Sequence, residues 1–140
     1  MKQIYEILNE VANATTRAEK IAVLRRNDNT TLRSVLRGAY HPSVKFVFDK
    51  IPEYKTEVNI PPGMGYTSLN IEAKRFYIFV EGNKRVDPNL SLERKRHILI
   101  QMLEALEPKE AEVLSNMLMK NLKTKGLNAD LAVEAFPDLI

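Results

Sequence analysis

The chain has no cysteine among its 140 residues. A disulfide scaffold, a thiol nucleophile and a cysteine-ligated zinc are thereby excluded, and the composition suits a reducing compartment. Long apolar runs are also missing. The longest stretches are a few residues, against the roughly 20 that span a bilayer, so no membrane partner is expected. The opening Met1-Lys2-Gln3-Ile4-Tyr5-Glu6 has no apolar signal core, and a cytoplasmic location is the expectation. Histidine is scarce. His41 and His97 lie in unrelated segments without the i,i+4 partner of a helical zinc site, so no metal is expected. Pro62-Gly63-Met64-Gly65 lacks the glycine spacing and the Lys-Ser/Thr of a phosphate loop. No serine sits in a nucleophile elbow. Glu110 and Glu112 are spaced to point apart on a helix and read as solvated surface. No catalytic residue and no cofactor is therefore expected.

What is present reads as one globular domain over residues 1–140. Hydrophobic residues make up 44% of the chain and charged residues 28%, an ordinary balance that argues against disorder. A chain of this length buries about two-thirds of its unfolded surface, enough for a core without staples. The net charge of +3 is modest, but its distribution is uneven. Between Arg17 and Arg37 lie Arg17, Lys20, Arg25, Arg26, Arg33 and Arg37 against Glu19 and Asp28 only. Lys120, Lys123 and Lys125 follow later, with no acid between Glu112 and Asp130. Such clusters either neutralise phosphate or form a solvated face.

Periodicity of three and four predicts helices nearly throughout. Ile4, Ile7, Leu8 and Val11 share one face. Thr15 or Thr16 can cap a second helix, with Thr16 and Glu19 at capping-box spacing, and Ala18, Ile21, Ala22 and Leu24 give its apolar side. Asn27-Asp28-Asn29 ends it, and Leu32, Val35, Leu36 and Ala39 mark a third. Val44 to Lys50 reads as a short helix, although Phe46 and Phe48 also suit a strand. Residues 51–66 hold a concentration of proline and glycine and predict a loop. A helix from about Ser68 to Val80 is expected to turn Leu69, Ala73, Phe76, Tyr77 and Val80 inward. Ser91 caps another helix through Leu106, with Ile98, Leu99, Met102, Leu103 and Leu106 inside. Pro108 opens one to about Leu122, built on Val113, Leu114, Met117 and Leu118. Asn128 or Asp130 starts a last short helix with Leu131, Ala132, Ala135 and Phe136 inward. The fold class expected is all-α, a compact irregular bundle of six to seven helices.

The stretch from Leu118 to Asp130 is the most suggestive. A helix ends in lysines, Gly126 turns the chain, and a new helix begins. Backbone amides at that start, with ammonium groups beside them, suit a DNA phosphate. A lysine-capped helix end followed by a glycine stop accounts for the same residues.

These residues resemble the N-terminal, all-helical DNA-binding domain of the ATP-dependent DNA ligases of T-even-type bacteriophages. Ile7-Leu8-Asn9-Glu10-Val11-Ala12, Thr16 through Leu24, Asn27-Asp28-Asn29, Leu32, Val35 and Ala39-Tyr40 are similar to the start of that domain. Val113-Leu114, Met117 through Met119, Leu122, Gly126, Ala132 and Phe136-Pro137-Asp138-Leu139-Ile140 are similar to its closing helix–turn–helix. Residues 50–107 match in helix order and length alone. The resemblance implies a grip on the backbone of double-stranded DNA across the minor groove, in the cytoplasm of an infected bacterial cell. It assigns candidate contacts to Lys120, Lys123, Lys125, Gly126 and Asn128, to which the basic run adds Arg25, Arg26 and Arg33. The ligase nucleotidylation motif, Lys-x-Asp-Gly, has no match. Lys123-Thr-Lys-Gly126 lacks the aspartate, and no nick sealing is expected.

Two functions follow from these features. One is a non-catalytic DNA-binding protein. The alternative is an adaptor or inhibitor acting on a phage or host replication protein such as a sliding clamp. For the latter, Phe136, Leu139 and Ile140 form a short apolar tail that either docks in a partner's pocket or packs on its own core.

Overall fold

A computed structural model describes residues 2–56 and 64–140. Among the described residues there are seven α-helices, one 3-10 helix and no strand: α1 Ile4–Asn13, α2 Arg17–Arg26, α3 Thr30–Tyr40, α4 Leu69–Glu72, the 3-10 helix Ala73–Phe79, α5 Leu92–Ala105, α6 Pro108–Leu118 and α7 Ala129–Ala135. The expected all-α bundle is what forms.

Side-chain caps set most helix starts. Thr16, Asn29, Ser68, Ser91 and Asn128 each accept from the backbone N–H three residues on, which satisfies a donor that the helix itself cannot. Glu19 reaches back one residue further than a capping box requires. Its carboxylate accepts from the Thr15 N–H and hydroxyl at 3.1 and 3.0 Å, and these bonds hold its pKa below the ordinary value. Pro108 occupies the first turn of α6, where its missing donor costs nothing.

The core is built from one face of each helix. Ile4, Ile7, Leu8 and Val11 of α1, Leu32, Val35 and Leu36 of α3, and Leu114, Met117 and Leu118 of α6 are all buried. α3 and α6 approach closely because residue 38 is glycine. A Cβ there would lie 2.7 Å from Met117 Sδ and 3.2 Å from the Phe46 ring.

Four local expectations are corrected. α2 buries Val23 and Leu24, leaves Ile21 half-buried and exposes Ala18 and Ala22, because its contacts are with α1 on one side and α7 on the other. Residues 44–50 are not helical. Phe46 makes an isolated antiparallel bridge with Val80, Val47 N–H donates to Phe79 O at 2.9 Å, and the Phe48 and Phe79 rings meet at 5.6 Å. The alternation of Phe46 and Phe48 thus wins over helical periodicity. The segment after Ser68 tightens into a 3-10 helix, whose threefold repeat turns Phe76 and Phe79 inward and leaves Tyr77 and Val80 half-buried. Finally, α6 stops at Leu118 rather than Leu122. Lys120 N–H donates to Met117 O at 2.9 Å and Asn121 N–H to Asn116 O at 3.0 Å, the paired bonds of a Schellman stop. The left-handed position of that stop is filled by Lys120, at φ 61°, where glycine is usual. Part of the expected Pro/Gly-rich loop, residues 57–63, lies outside the described residues. Its flanks, 51–56 and 64–66, carry no helix.

Candidate nucleic-acid interface

Much of the positive charge from Arg17 to Arg37 faces the chain's own C-terminal segment. Arg17 pairs with Glu134 at 2.7 Å. Arg25 donates to the carbonyls of Glu134 and Ala135 at 2.9 and 3.2 Å, neutralising the C-terminal end of α7. Arg33 binds Asp28 at 2.7 Å and Asp138 at 3.0 Å, and its guanidinium carbon stands 4.5 Å from the centre of the Phe136 ring. The Arg33 hydrogen bond keeps the Asp28 pKa below its ordinary value. Arg37 donates to Leu139 O at 3.1 Å. Arg25 and Arg33, expected to meet phosphate, therefore meet α7 and the tail. Arg26 stays exposed, its nearest carboxylate being Glu10 at 3.8 Å.

The tail lies on the same clamp. Phe136 is 2% exposed and Leu139 4%, so these two intended partner anchors fill the chain's own core, and only Ile140 turns outward. Short apolar ends dock at home when the core offers a face for them.

Two lysines act as internal plugs. Lys20 Nζ donates to Val11 O at 2.7 Å, Ala14 O at 2.8 Å and Lys125 O at 3.3 Å. Lys120 Nζ donates to Gly38 O, His41 O and Val44 O at 2.6, 3.0 and 2.8 Å. An ammonium has three donors, and in each plug all three are taken. Burial lowers the Lys120 pKa. Lys120, expected at phosphate, instead ties the end of α6 to the turn after α3.

The rest of the lysine turn is different. Lys123 and Lys125 are exposed, and their ammonium groups have no hydrogen bond or ion pair among the described residues. Lys123 has φ 56°. Gly126, at φ 77°, lies against Lys20, where a Cβ would come within 2.6 Å of the lysine chain; the turn needs glycine on both counts. Asn128 caps α7 through Leu131 N–H at 2.9 Å, so its side-chain oxygen is already engaged.

Lys123 also borders a groove of about 320 Å³ between α1 and α6. Leu8, Ala12, Val113 and Leu122 form its apolar part, and Asn9, Asn116, Thr124, Lys109, Glu112 and Lys123 its polar part. Tyr5 lies at one side, with Lys109 Nζ 5.3 Å from its ring centre. Lys109, Asn9 and Asn116 were not anticipated from the sequence. They belong to two helices about a hundred residues apart, and no local pattern joins them.

Glu107 and Glu110 form a buried acidic pair, which corrects the expectation of solvated surface for Glu110. Glu110 accepts from Leu69 N–H at 3.0 Å. Burial raises its carboxyl to about 6 against the opposing effect of that N–H, with a further push from the charge of Glu107. Tyr5, raised to about 12 chiefly by burial and then by its hydrogen bond with Glu107, links the pair to α1.

A family model matches residues 7–124. The chain belongs to DUF6433, a family of unknown function. The DUF6433 match runs from α1 through the groove and includes Lys109, Asn116, Lys123 and Thr124, but stops before Lys125 and α7. No curated protein matches the chain. Among the described residues, no helix is long and apolar enough to cross a membrane.

Proposed function

We propose that this DUF6433 protein is a non-catalytic module that grips double-stranded DNA through its phosphates. The observation that carries the reading is the pair of exposed, unpartnered ammonium groups of Lys123 and Lys125 on a turn beside a polar groove. Unpartnered cations give up no intrachain bond when they meet phosphate. Lys109 lines the same groove, and Arg26 is a further exposed cation elsewhere on the surface. The interface is then narrower than the sequence suggests, because Arg25, Arg33 and Lys120 are engaged within the fold. Contacts of this kind position a protein on the duplex without reading bases. The resemblance to a phage ligase DNA-binding domain supports the same reading, with action in the infected cell.

The test is a titration of fluorescent intact, nicked and single-stranded DNA at several salt concentrations. With two to four lysine and arginine contacts, log affinity falls by about 0.9 per contact for each unit of log salt. No binding to any of the three at low salt rejects the reading.

A second reading, an adaptor for a replication protein such as a sliding clamp, is favoured by one observation away from the tail. Tyr66 is 82% exposed, and Met64 and Ile71, two before and five after it in the chain, are also exposed large apolar residues. Tyrosine is a common interface anchor. Saturable binding to a purified sliding clamp that disappears in Tyr66→Ser selects this alternative.

A further inference from the structure

Lys120 and Lys123 both hold the left-handed backbone region, which is unfavourable for any side chain with a Cβ. At Lys120 the strain has a structural counterpart in the three carbonyls that its ammonium binds. At Lys123 no such counterpart exists. Its backbone N–H donates to Asn121 Oδ1 at 3.0 Å, a bond that glycine would make equally well. What a lysine adds there is an ammonium on the rim of the α1–α6 groove.

The groove combines three kinds of recognition. Its floor is aliphatic, from Leu8, Ala12, Val113 and Leu122. The side-chain amides of Asn9 and Asn116 make no hydrogen bond among the described residues, so their donors and acceptors are open. Lys109 and Lys123 supply the cations of the lining against Glu112, and the buried Glu107 and Glu110 lie beside Tyr5. A bare anion uses only the lysines, and an apolar peptide only the floor. A ligand that uses all three has a flat apolar body, hydrogen-bonding edges and one anionic end. At about 320 Å³ the space lies at the lower end of the roughly 300–1,000 Å³ typical of small-molecule sites.

We propose that the groove between α1 and α6 binds a single nucleotide, its base over the aliphatic floor, its edge on Asn9 and Asn116, and its phosphate at Lys123. The nucleotide is either free or an unpaired residue of a DNA strand. The second case rests on the DNA-binding reading above; the first does not.

The test follows backbone amide signals of the full chain by NMR while deoxyadenosine monophosphate is added. Saturable shifts are expected at Asn9, Asn116 and Thr124. Lys123→Gly is the informative variant, because it relieves the backbone strain while deleting the ammonium. It is expected to melt no lower than the wild type and to bind the mononucleotide at least about tenfold more weakly, as for one lost charge-assisted hydrogen bond. Asn116→Asp, which brings a negative charge to the same wall, is expected to weaken binding similarly. Lys84→Ala, exposed and outside the groove, leaves mononucleotide binding unchanged. A duplex with a one-nucleotide overhang that displaces the mononucleotide, where a blunt duplex does not, identifies a strand residue as the ligand. Failure of both duplexes to displace it identifies a free nucleotide. Inorganic phosphate producing the same shifts at the same concentrations overturns the proposal in favour of a simple anion site. So does the absence of saturable shifts together with equal affinity for overhang and blunt duplexes. If blunt duplex still binds in that last case, the DNA-binding reading survives while the groove proposal fails.

Discussion

The basic run of residues 17–37 and the lysine turn of residues 119–126 look alike in the sequence and differ in the fold. In the first, Arg17, Arg25, Arg33 and Arg37 converge on residues 134–139. Two of those contacts are carboxylates, and the others are carbonyls at or beyond the end of α7. In the second, one lysine is drawn inward and two are left in solvent. The difference shows that an excess of charge along the chain does not measure the charge available to a ligand. A cation is free only if no carbonyl or carboxylate from another part of the chain lies within its reach.

This contrast can be broken most directly at the tail. Phe136→Ala is expected to lower stability by about 3 kcal/mol, the usual scale for truncating a buried aromatic residue. Thermal or urea unfolding measures it. A negligible loss would mean that residues 136–140 are not held by the arginines and remain open to a partner.

Lys120→Met keeps the length of the chain but removes three donors from carbonyls in a partly buried place. A loss of about 2 kcal/mol is expected, whereas Lys123→Met is expected to stay within about 0.5 kcal/mol of the wild type. Equal losses would erase the distinction between plug and free lysine.

The acidic counterpart is Glu110, whose folded carboxyl rises from 4.5 to about 6. The folded state then binds its proton more tightly than the unfolded state. The resulting stability is full below about pH 4.5 and is lost as pH rises through about 6. From pH 7 to pH 5 this group is expected to add stability of about 1 kcal/mol, read as the difference between wild type and Glu110→Gln in urea unfolding. Identical pH profiles for the two would remove Glu110 as the cause.

Arg25→Ala is expected to cost about 1 kcal/mol, through two carbonyls at the end of α7 that lose their side-chain donor. Its effect on DNA affinity should be small, since Arg25 is already engaged. Lys125→Ala should do the reverse. Stability stays within about 0.5 kcal/mol, and the salt slope of duplex binding falls by about 0.9. A larger loss of affinity from Arg25 than from Lys125 would return the interface to the arginine run.

Periodicity and capping made most of the helices legible. Thr16, Ser91, Pro108 and Asn128 mark their starts by chemistry confined to a few neighbouring residues. The same local rules placed Ile4, Ile7, Leu8, Leu32, Val35, Leu114 and Leu131 in the core. They did not find the bridge of Phe46 to Val80, whose partners are more than thirty residues apart. Nor did they find the early stop of α6. That stop depends on Lys120 reaching carbonyls about eighty residues away, and a lysine is otherwise a good helix former.

The candidate site divides in the same way. Lys123, Lys125 and the Gly126 turn were visible because they lie within four residues of chain. The groove was not, since Asn9 and Asn116 become neighbours only when α1 lies beside α6. The sequence alone determined an all-helical bundle, its caps and most of its core, because propensity, capping and periodicity act over one or two turns of chain. Only the tertiary structure decided which charges remain free and which apolar ends are covered. Those outcomes depend on partners a hundred residues away, such as the carbonyls of Glu134 and Ala135 that Arg25 holds.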